Sequence, residues 1–182
     1  MPQVLIATDG SGTRNGPGGW AAVLRFGDAV REISGSVPEA TNNRMEIQAA
    51  IEALAILTRP CLVEITTDSE YLKNGATLYL SGWKRFGWKT TEDKPIKNRD
   101  LWERLSTEID RHRVTWLHVK GHGDHADNNR ADELAGNERR KLKGEPEKKK
   151  RKKKGAVEPP LTVTDSLRTT SEASEPPASL QT

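Results

Sequence analysis

Four acidic residues stand in frames where a carboxylate can do chemistry: Asp9 in IATDGS, Glu46 in NNRMEIQAA, Asp68 in ITTDSEYL and Asp132 in NNRADELA. Each lies where an apolar segment meets a polar loop or a helix start, so each can face the end of a sheet instead of open solvent. A lone Asp or Glu is ordinarily a solvated surface charge. Four of them gathered in one place repel, because like charges sharing a site cannot all stay ionised without a counter-charge. A divalent cation supplies that charge. Hard oxygen ligands suit Mg²⁺, with Mn²⁺ as the alternative.

Other reactive side chains are few. His122 lies in VKGHGDH between Gly121 and Gly123, which favour a mobile loop. His112 and His118 read as structural, His125 as surface, and the Cys/His spacing fits no zinc site. The single cysteine, Cys61, excludes an intramolecular disulfide and opens an apolar run, so it reads as a buried small hydrophobe. A reducing, cytoplasmic setting is the expectation. No apolar run approaches the ~20 residues of a transmembrane helix, so no membrane partner is expected. The segment MPQVLIATDG lacks the basic n-region and cleavage site of a signal peptide.

These residues need a scaffold. The run Val4 to Thr8 suits a central strand covered on both faces. After the turn-rich GSGTRNGPGG, Gly19 to Phe26 and Ala29 to Val37 read as strands joined at Gly27-Asp28. Residues 43 to 57 read as a helix, with Ile47, Ala50, Ile51, Leu54 and Leu57 along one stripe and Asn43 with Glu46 as a capping pair. Leu62 to Thr67 is a fourth strand. Short helical pieces are expected at Ser69 to Gly75 and Leu78 to Arg85, and a longer helix at Asn98 to Arg111. A fifth strand spans Val114 to Val119. The last helix covers roughly 129 to 142, with Ala131, Leu134, Ala135 and Leu142 inward. The fold class is therefore α/β: a five-stranded mixed sheet flanked by helices.

At 182 residues the chain can hold one domain with a real core. Its mean hydropathy of -0.75 is low for a chain folded throughout. Composition changes sharply past Gly144, where GEPEKKKRKKKGAVEPP leads into a Ser/Thr/Pro/Glu-rich segment. Residues 1–144 read as the folded domain and 145–182 as a disordered tail. The net charge of +3 hides this division. The tail holds eight Lys/Arg and six Asp/Glu, which leaves 21 and 20 of the chain's 29 and 26 for the body. A nucleic-acid surface on that body must come from local clustering.

The frames TDGS, TNNRMEI, TDSEYL, GWKTTEDKPIKNRDLW and VKGH, with ADELA carrying Asp132 ten residues past His122, together resemble bacterial type 1 ribonuclease H from about Val4 to Lys143. The resemblance implies a ribonuclease H-like fold. It also implies an endoribonuclease that hydrolyses the RNA strand of RNA/DNA hybrids, leaving 5′-phosphate and 3′-hydroxyl ends. By motif, Asp9, Glu46, Asp68 and Asp132 would form a quartet holding two Mg²⁺ ions, with Asp9 bridging both. His122 would assist proton transfer or product departure. Two ions about 3.5–4 Å apart can stabilise the entering and leaving oxygens of an in-line displacement. A monomer is the family expectation.

Hybrid recognition is implied for Gly10, Ser11 and Asn15, and for Thr41, Asn42 and Asn43 of the box, by contact with 2′-hydroxyls, minor-groove edges and DNA phosphates. The 2′-OH is what separates RNA from DNA, and the wide minor groove exposes it. Two departures from the family pattern stand out: Glu70 where relatives carry Gln, and a shorter loop between Asp9 and Gly18. The segment WKRFGWKTTEDKPIKNR interleaves Trp83, Phe86 and Trp88 with Lys84, Arg85, Lys89, Lys94, Lys97 and Arg99. Its family counterpart is a basic protrusion that grips the DNA strand, with Trp83, Lys84, Arg85, Trp88 and Lys89 as the contacts. The run Lys148 to Lys154 could add nonspecific nucleic-acid affinity, bind an acidic partner or stay solvated. The competing readings are a hybrid-binding module without catalysis and another metal-dependent nuclease on the same fold.

Overall fold

The computed structural model describes residues 1–147; the expected tail beyond residue 147 lies outside the described residues. Strands β1 (Gln3–Ser11), β2 (Gly18–Phe26) and β3 (Ala29–Val37) form an antiparallel meander. Helix α1 (Asn42–Ala55) then returns the chain so that β4 (Leu62–Thr67) pairs with β1 in parallel. Helix α2 (Glu70–Asn74) runs through a π-helical turn (Gly75–Tyr79) into α3 (Leu80–Arg85), and α4 (Arg99–Asp110) follows. Strand β5 (Arg113–His118) pairs in parallel with β4, and α5 (Ala126–Lys143) completes the described chain. The sheet order is β3-β2-β1-β4-β5, so the strand that carries Asp9 lies at its centre.

Strand alternation divides the core. Val4 and Ile6 of β1 join Ala22, Leu24, Val63 and Ile65 against Ile47, Ala50, Ile51 and Leu54 of α1. Helix α4 closes this layer with Leu101, Trp102 and Leu105. The intervening residues Ala7, Ala21 and Val23 point the other way, and α5 lies over β1, β2 and β3 with Ala131 and Ala135 fully buried. Small residues on both surfaces let α5 approach closely, which brings Asp132 to the end of β1. Trp102 is fully buried, 5.7 Å from the Tyr71 ring and 5.3 Å from the Trp83 ring. The Tyr71 hydroxyl accepts from Trp102 Nε1 at 3.3 Å and from Asn98 Nδ2 at 3.0 Å, so the indole N–H is satisfied as burial requires.

Local details depart from the expectations. The N-cap of α1 is Thr41, whose Oγ1 accepts from the Arg44 N–H, so the Asn43/Glu46 capping pair does not form. Glu46 is turned inward and buried, which leaves Thr41 to cap the helix. The pieces expected at 69–75 and 78–85 are one continuous run through the π turn, where Gly75 faces the Trp102 ring. Helix α5 begins at Ala126, about a turn earlier than the expected 129, with Asp127 in its first turn. Leu142 is 47% exposed and not inward, because it lies near the end of α5 past the sheet. Cys61 is buried as expected, and its backbone N–H donates to His112 Nδ1 at 3.2 Å.

Candidate active site

Asp9 sits near the C-terminal end of β1, opposite Ala21 of β2. Asp68 follows the last residue of β4, the parallel neighbour of β1. Both strands therefore deliver a carboxylate to the same edge of the sheet. Glu46 arrives from the first turns of α1, which lies against β1 closely enough that Gly10 has no room for a side chain. A β-carbon there would be 2.3 Å from the Glu46 nitrogen. One carboxylate oxygen from each of Asp9, Glu46 and Asp68 lies within 4.8 Å of the others. Asp132, in the second turn of α5, is outside that trio but close enough to Asp9 for its charge to act on it.

The electrostatic cost of this gathering is visible. Burial, then the charges of Asp68 and Asp132, push the Asp9 carboxyl up to about 8. Glu46 is raised well above its ordinary value, first by burial and then by Asp9 and Asp68. Only 5% of Asp9 and 3% of Glu46 are exposed. Glu46 Oε1 accepts from Asn42 Nδ2 at 3.3 Å, but Oε2 is buried with no hydrogen-bond partner. A buried carboxylate oxygen without a donor costs stability unless something positive satisfies it. Among the described residues no lysine or arginine does so. An all-oxygen donor set with an orphaned buried oxygen fits a hard divalent cation; the residues that would hold it are Asp9, Glu46 and Asp68, with Asp132 alongside.

His122 stands over this edge. Its Nδ1 lies 3.8 Å from Asp132 Oδ2, and its side chain is 84% exposed. The residue adopts a left-handed φ of 56°, uncommon for a non-glycine residue. The loop beside it is seated on Asp68: Gly121 approaches so closely that a β-carbon would meet Asp68 Oδ2 at 2.5 Å, and His118 Nε2 lies 3.2 Å from the Asp68 carbonyl oxygen.

The expected recognition residues fall into two groups. Gly10 and Ser11 follow Asp9 on β1, and Thr41, Asn42 and Asn43 open α1 ahead of Glu46. Asn42 is central there, since its Oδ1 accepts from the Gly12 N–H at 3.1 Å while its amide reaches Glu46. Asn15, at a φ of 58°, lines a depression of about 240 Å³ with Glu39, Ala40, Thr41 and Arg44. The second group is divided by burial. Trp83 is half-buried, stacked on Tyr79 at 5.7 Å, and Trp88 packs against the core at a φ of 62°. Arg85 lies over the exposed Phe86 ring at 4.7 Å. Lys84 pairs with Asp110 and Lys89 with Asp93, each at 2.7 Å. Two supports escaped the sequence reading. Arg44 ties α1 to the start of α4 through Asp100 and Asn98, and Arg25 braces the start of α5 through both Asp127 oxygens. The position of Arg44 inside TNNRMEI was the available signal for the first; nothing local announces the second.

Comparison with known proteins accords with this geometry. Over 133 residues the chain is 55% identical to Ribonuclease H of Rhodopseudomonas palustris (strain TIE-1), covering 72% of this chain and 86% of that one. It is 54% identical to Ribonuclease H of Rhizobium meliloti (strain 1021), covering 74% and 89%. Among solved structures, LC9-RNase H1, a type 1 RNase H with the type 2 active-site motif, superimposes with a TM-score of 0.71 at 30% identity, over 78% of this chain and 74% of that one. The RNase H family profile matches residues 1–140, which include all four acids, and the chain belongs to the ribonuclease H family.

Proposed function

We propose that the chain is an endoribonuclease that hydrolyses the RNA strand of RNA/DNA hybrids at the Asp9–Glu46–Asp68–Asp132 edge, with Mg²⁺ as its metal. The observation that carries this reading is the carboxylate trio, buried at Asp9 and Glu46 and part-buried at Asp68, with its orphaned Glu46 oxygen. Family membership supports the reaction class. Bound there, a pair of divalent ions would supply charge stabilisation to the scissile phosphate and lower the pKa of the attacking water. Asp9 would serve both ions, a role supported by its electrostatic coupling to Asp68 and Asp132 and by its influence on Glu46. His122, exposed and beside Asp132, can carry a proton to or from that side of the site.

Recognition is assigned to uncharged groups near the acids. Asn42, Asn43, Thr41 and the backbone around Gly10 and Ser11 can hydrogen-bond a ribose without preferring a base. Asn42 has a double duty, because it also holds Glu46 Oε1. Trp83 and Trp88 both pack in part against the core, and with Lys84, Arg85 and Lys89 they are the protrusion's contacts with the DNA strand. All the acids come from one chain, so a monomer suffices for this site.

The test uses labelled RNA/DNA hybrid, RNA duplex and DNA duplex, each with Mg²⁺ or with EDTA. Cleavage of RNA only in the hybrid, only with the metal, and with 5′-phosphate products supports the reading. Hybrid binding with no cleavage would leave a non-catalytic binding module, and cleavage of the DNA duplex would point to a different nuclease.

A further inference from the structure

The loop that carries His122 holds a conformation that is unfavourable on its own. Lys120 to Gly123 form a tight turn, closed by the Gly123 N–H on the Lys120 carbonyl oxygen at 3.2 Å. His122 is the third residue of that turn and has a φ of 56°. Glycine is usual at a turn position with positive φ. Another residue stays there only where its surroundings over-determine it. Upstream, those surroundings are the end of β4. The Val119 N–H donates to the Thr67 carbonyl oxygen at 3.0 Å, and His118 Nε2 lies 3.2 Å from the Asp68 carbonyl oxygen. A carbonyl only accepts, so Nε2 carries the proton in that contact. Gly121 then rests on the Asp68 carboxylate.

Downstream, the hold comes from α5. Asn129 Nδ2 donates to the Gly123 carbonyl oxygen at 2.7 Å. The Asn129 backbone is regular helix, its N–H donating to the His125 carbonyl oxygen at 3.0 Å. His125, the N-cap, makes no side-chain capping bond, so it adds no side-chain hold of that kind between the turn and the helix. Asn129 precedes Asp132 by three residues, and side chains at that spacing are neighbours on a helix surface. The carbonyl that Asn129 grips belongs to the residue next to His122. His122 Nδ1 in turn lies 3.8 Å from Asp132 Oδ2. Amide, loop and carboxylate thus close a triangle over one turn of α5.

We propose that Asn129 is a positioning residue for the reaction: its hydrogen bond to Gly123 fixes the His122 turn against α5 and so keeps the imidazole beside Asp132. The proposal rests on the hybrid-cleaving reading above. Asn129 acts through His122 and not on the metal ligands, because Asp132 is placed by its own helix. It is also exposed, and alanine suits a helix interior better than asparagine, so removing its amide should not weaken the fold.

The full chain tests it with Asn129→Ala, His122→Ala and the double variant. Cleavage of an RNA/DNA hybrid is measured in Mg²⁺, melting temperature is measured with and without Mg²⁺, and ¹⁵N relaxation reads the loop directly. Asn129→Ala is expected to lower kcat about threefold to tenfold, the factor one ordinary hydrogen bond supplies, and to leave KM within about twofold of the parent's. Its melting temperature should not fall, and Mg²⁺ should raise it as in the parent. In the His122→Ala background the same change should lower kcat no further, because residues that act as one unit are not additive. Amide order parameters at Gly121, His122 and Gly123 should drop in Asn129→Ala from about 0.85 to about 0.6 or less. Unchanged order parameters would overturn the proposal, as would a kcat at or above the parent's or additive losses in the double variant, which would show Asn129 acting apart from His122. Loss of the Mg²⁺ stabilisation would also overturn it, by placing Asn129 in the metal site. If no form cleaves the hybrid, the catalytic reading fails alone, and the order parameters still decide whether Asn129 holds the loop.

Discussion

With Asp9 pushed up to about 8 and Glu46 raised by the same burial, the metal-free site keeps protons at neutral pH that isolated carboxylates would have lost. The sign of the linked stability follows. The unfolded Asp9 ionises near 3.8 and the folded one near 8, so between those values the native state binds more protons. Folding stability in EDTA should therefore fall as pH rises from about 4 through 8. Mg²⁺ should restore it, raising the melting temperature more at pH 8 than at pH 5, and Asp9→Asn should flatten both trends. Thermal melts at the two pH values check this; a melting temperature that rises with pH in EDTA would contradict it. His122 presents a milder case. Its Nδ1 lies beside Asp132, and its side chain is 84% exposed. His122→Ala should lower turnover by no more than about 10²-fold and leave metal-dependent stabilisation intact; loss of that stabilisation in melts would show that His122 belongs to the metal site itself.

The fit of α1 against β1 sets where Glu46 can go. Gly10→Ala would place a methyl 2.3 Å from the Glu46 nitrogen and 2.5 Å from the Met45 carbonyl carbon, both backbone atoms that cannot step aside. The strand and helix would have to separate, at a cost of about 1–3 kcal/mol by analogy with overpacked cores. Activity should fall further than stability alone explains, because Glu46 moves with its helix. Denaturant melts paired with Mg²⁺ titration separate the two effects. Most elements were legible from their patterns. The continuous run of β1, the stripe of α1 as far as Leu54 and the hairpin at Gly27-Asp28 appear where periodicity put them, while Leu57 falls past the helix end at Ala55. What the pattern could not show was end chemistry. Thr41 caps α1 because Glu46 is drawn into the site, and Leu142 is exposed because α5 outruns the sheet beneath it. Both depend on tertiary placement, which a local window does not contain. The unbroken run from α2 to α3 has the same origin, since the Trp102 ring that lies under Gly75 comes from α4.

At the scale of the whole molecule, a central strand with parallel and antiparallel neighbours brings acids separated by 59 residues, Asp9 and Asp68, to one sheet edge. The four frames were legible as candidates, and their order along the chain marked the family. Their convergence was legible only through the family resemblance, because physically it depends on β4 pairing parallel to β1 and on small residues letting α5 lie close. The sequence marks the protrusion as basic but not that Lys84 and Lys89 are paired within the body, since only the fold brings Asp110 and Asp93 to them. We propose that Asp9, Glu46, Asp68 and Asp132 act as one metal-holding catalytic cluster. Its most direct test is the Mg²⁺-dependent rate of RNA cleavage in a hybrid by purified Asp68→Asn. Asp68 suits this test because it is only part-buried, so its loss should leave the protein folded. A fall on the order of 10²–10³-fold or more, with the parent's melting temperature in EDTA retained, is the predicted result. Turnover near the parent's in that folded variant would contradict it.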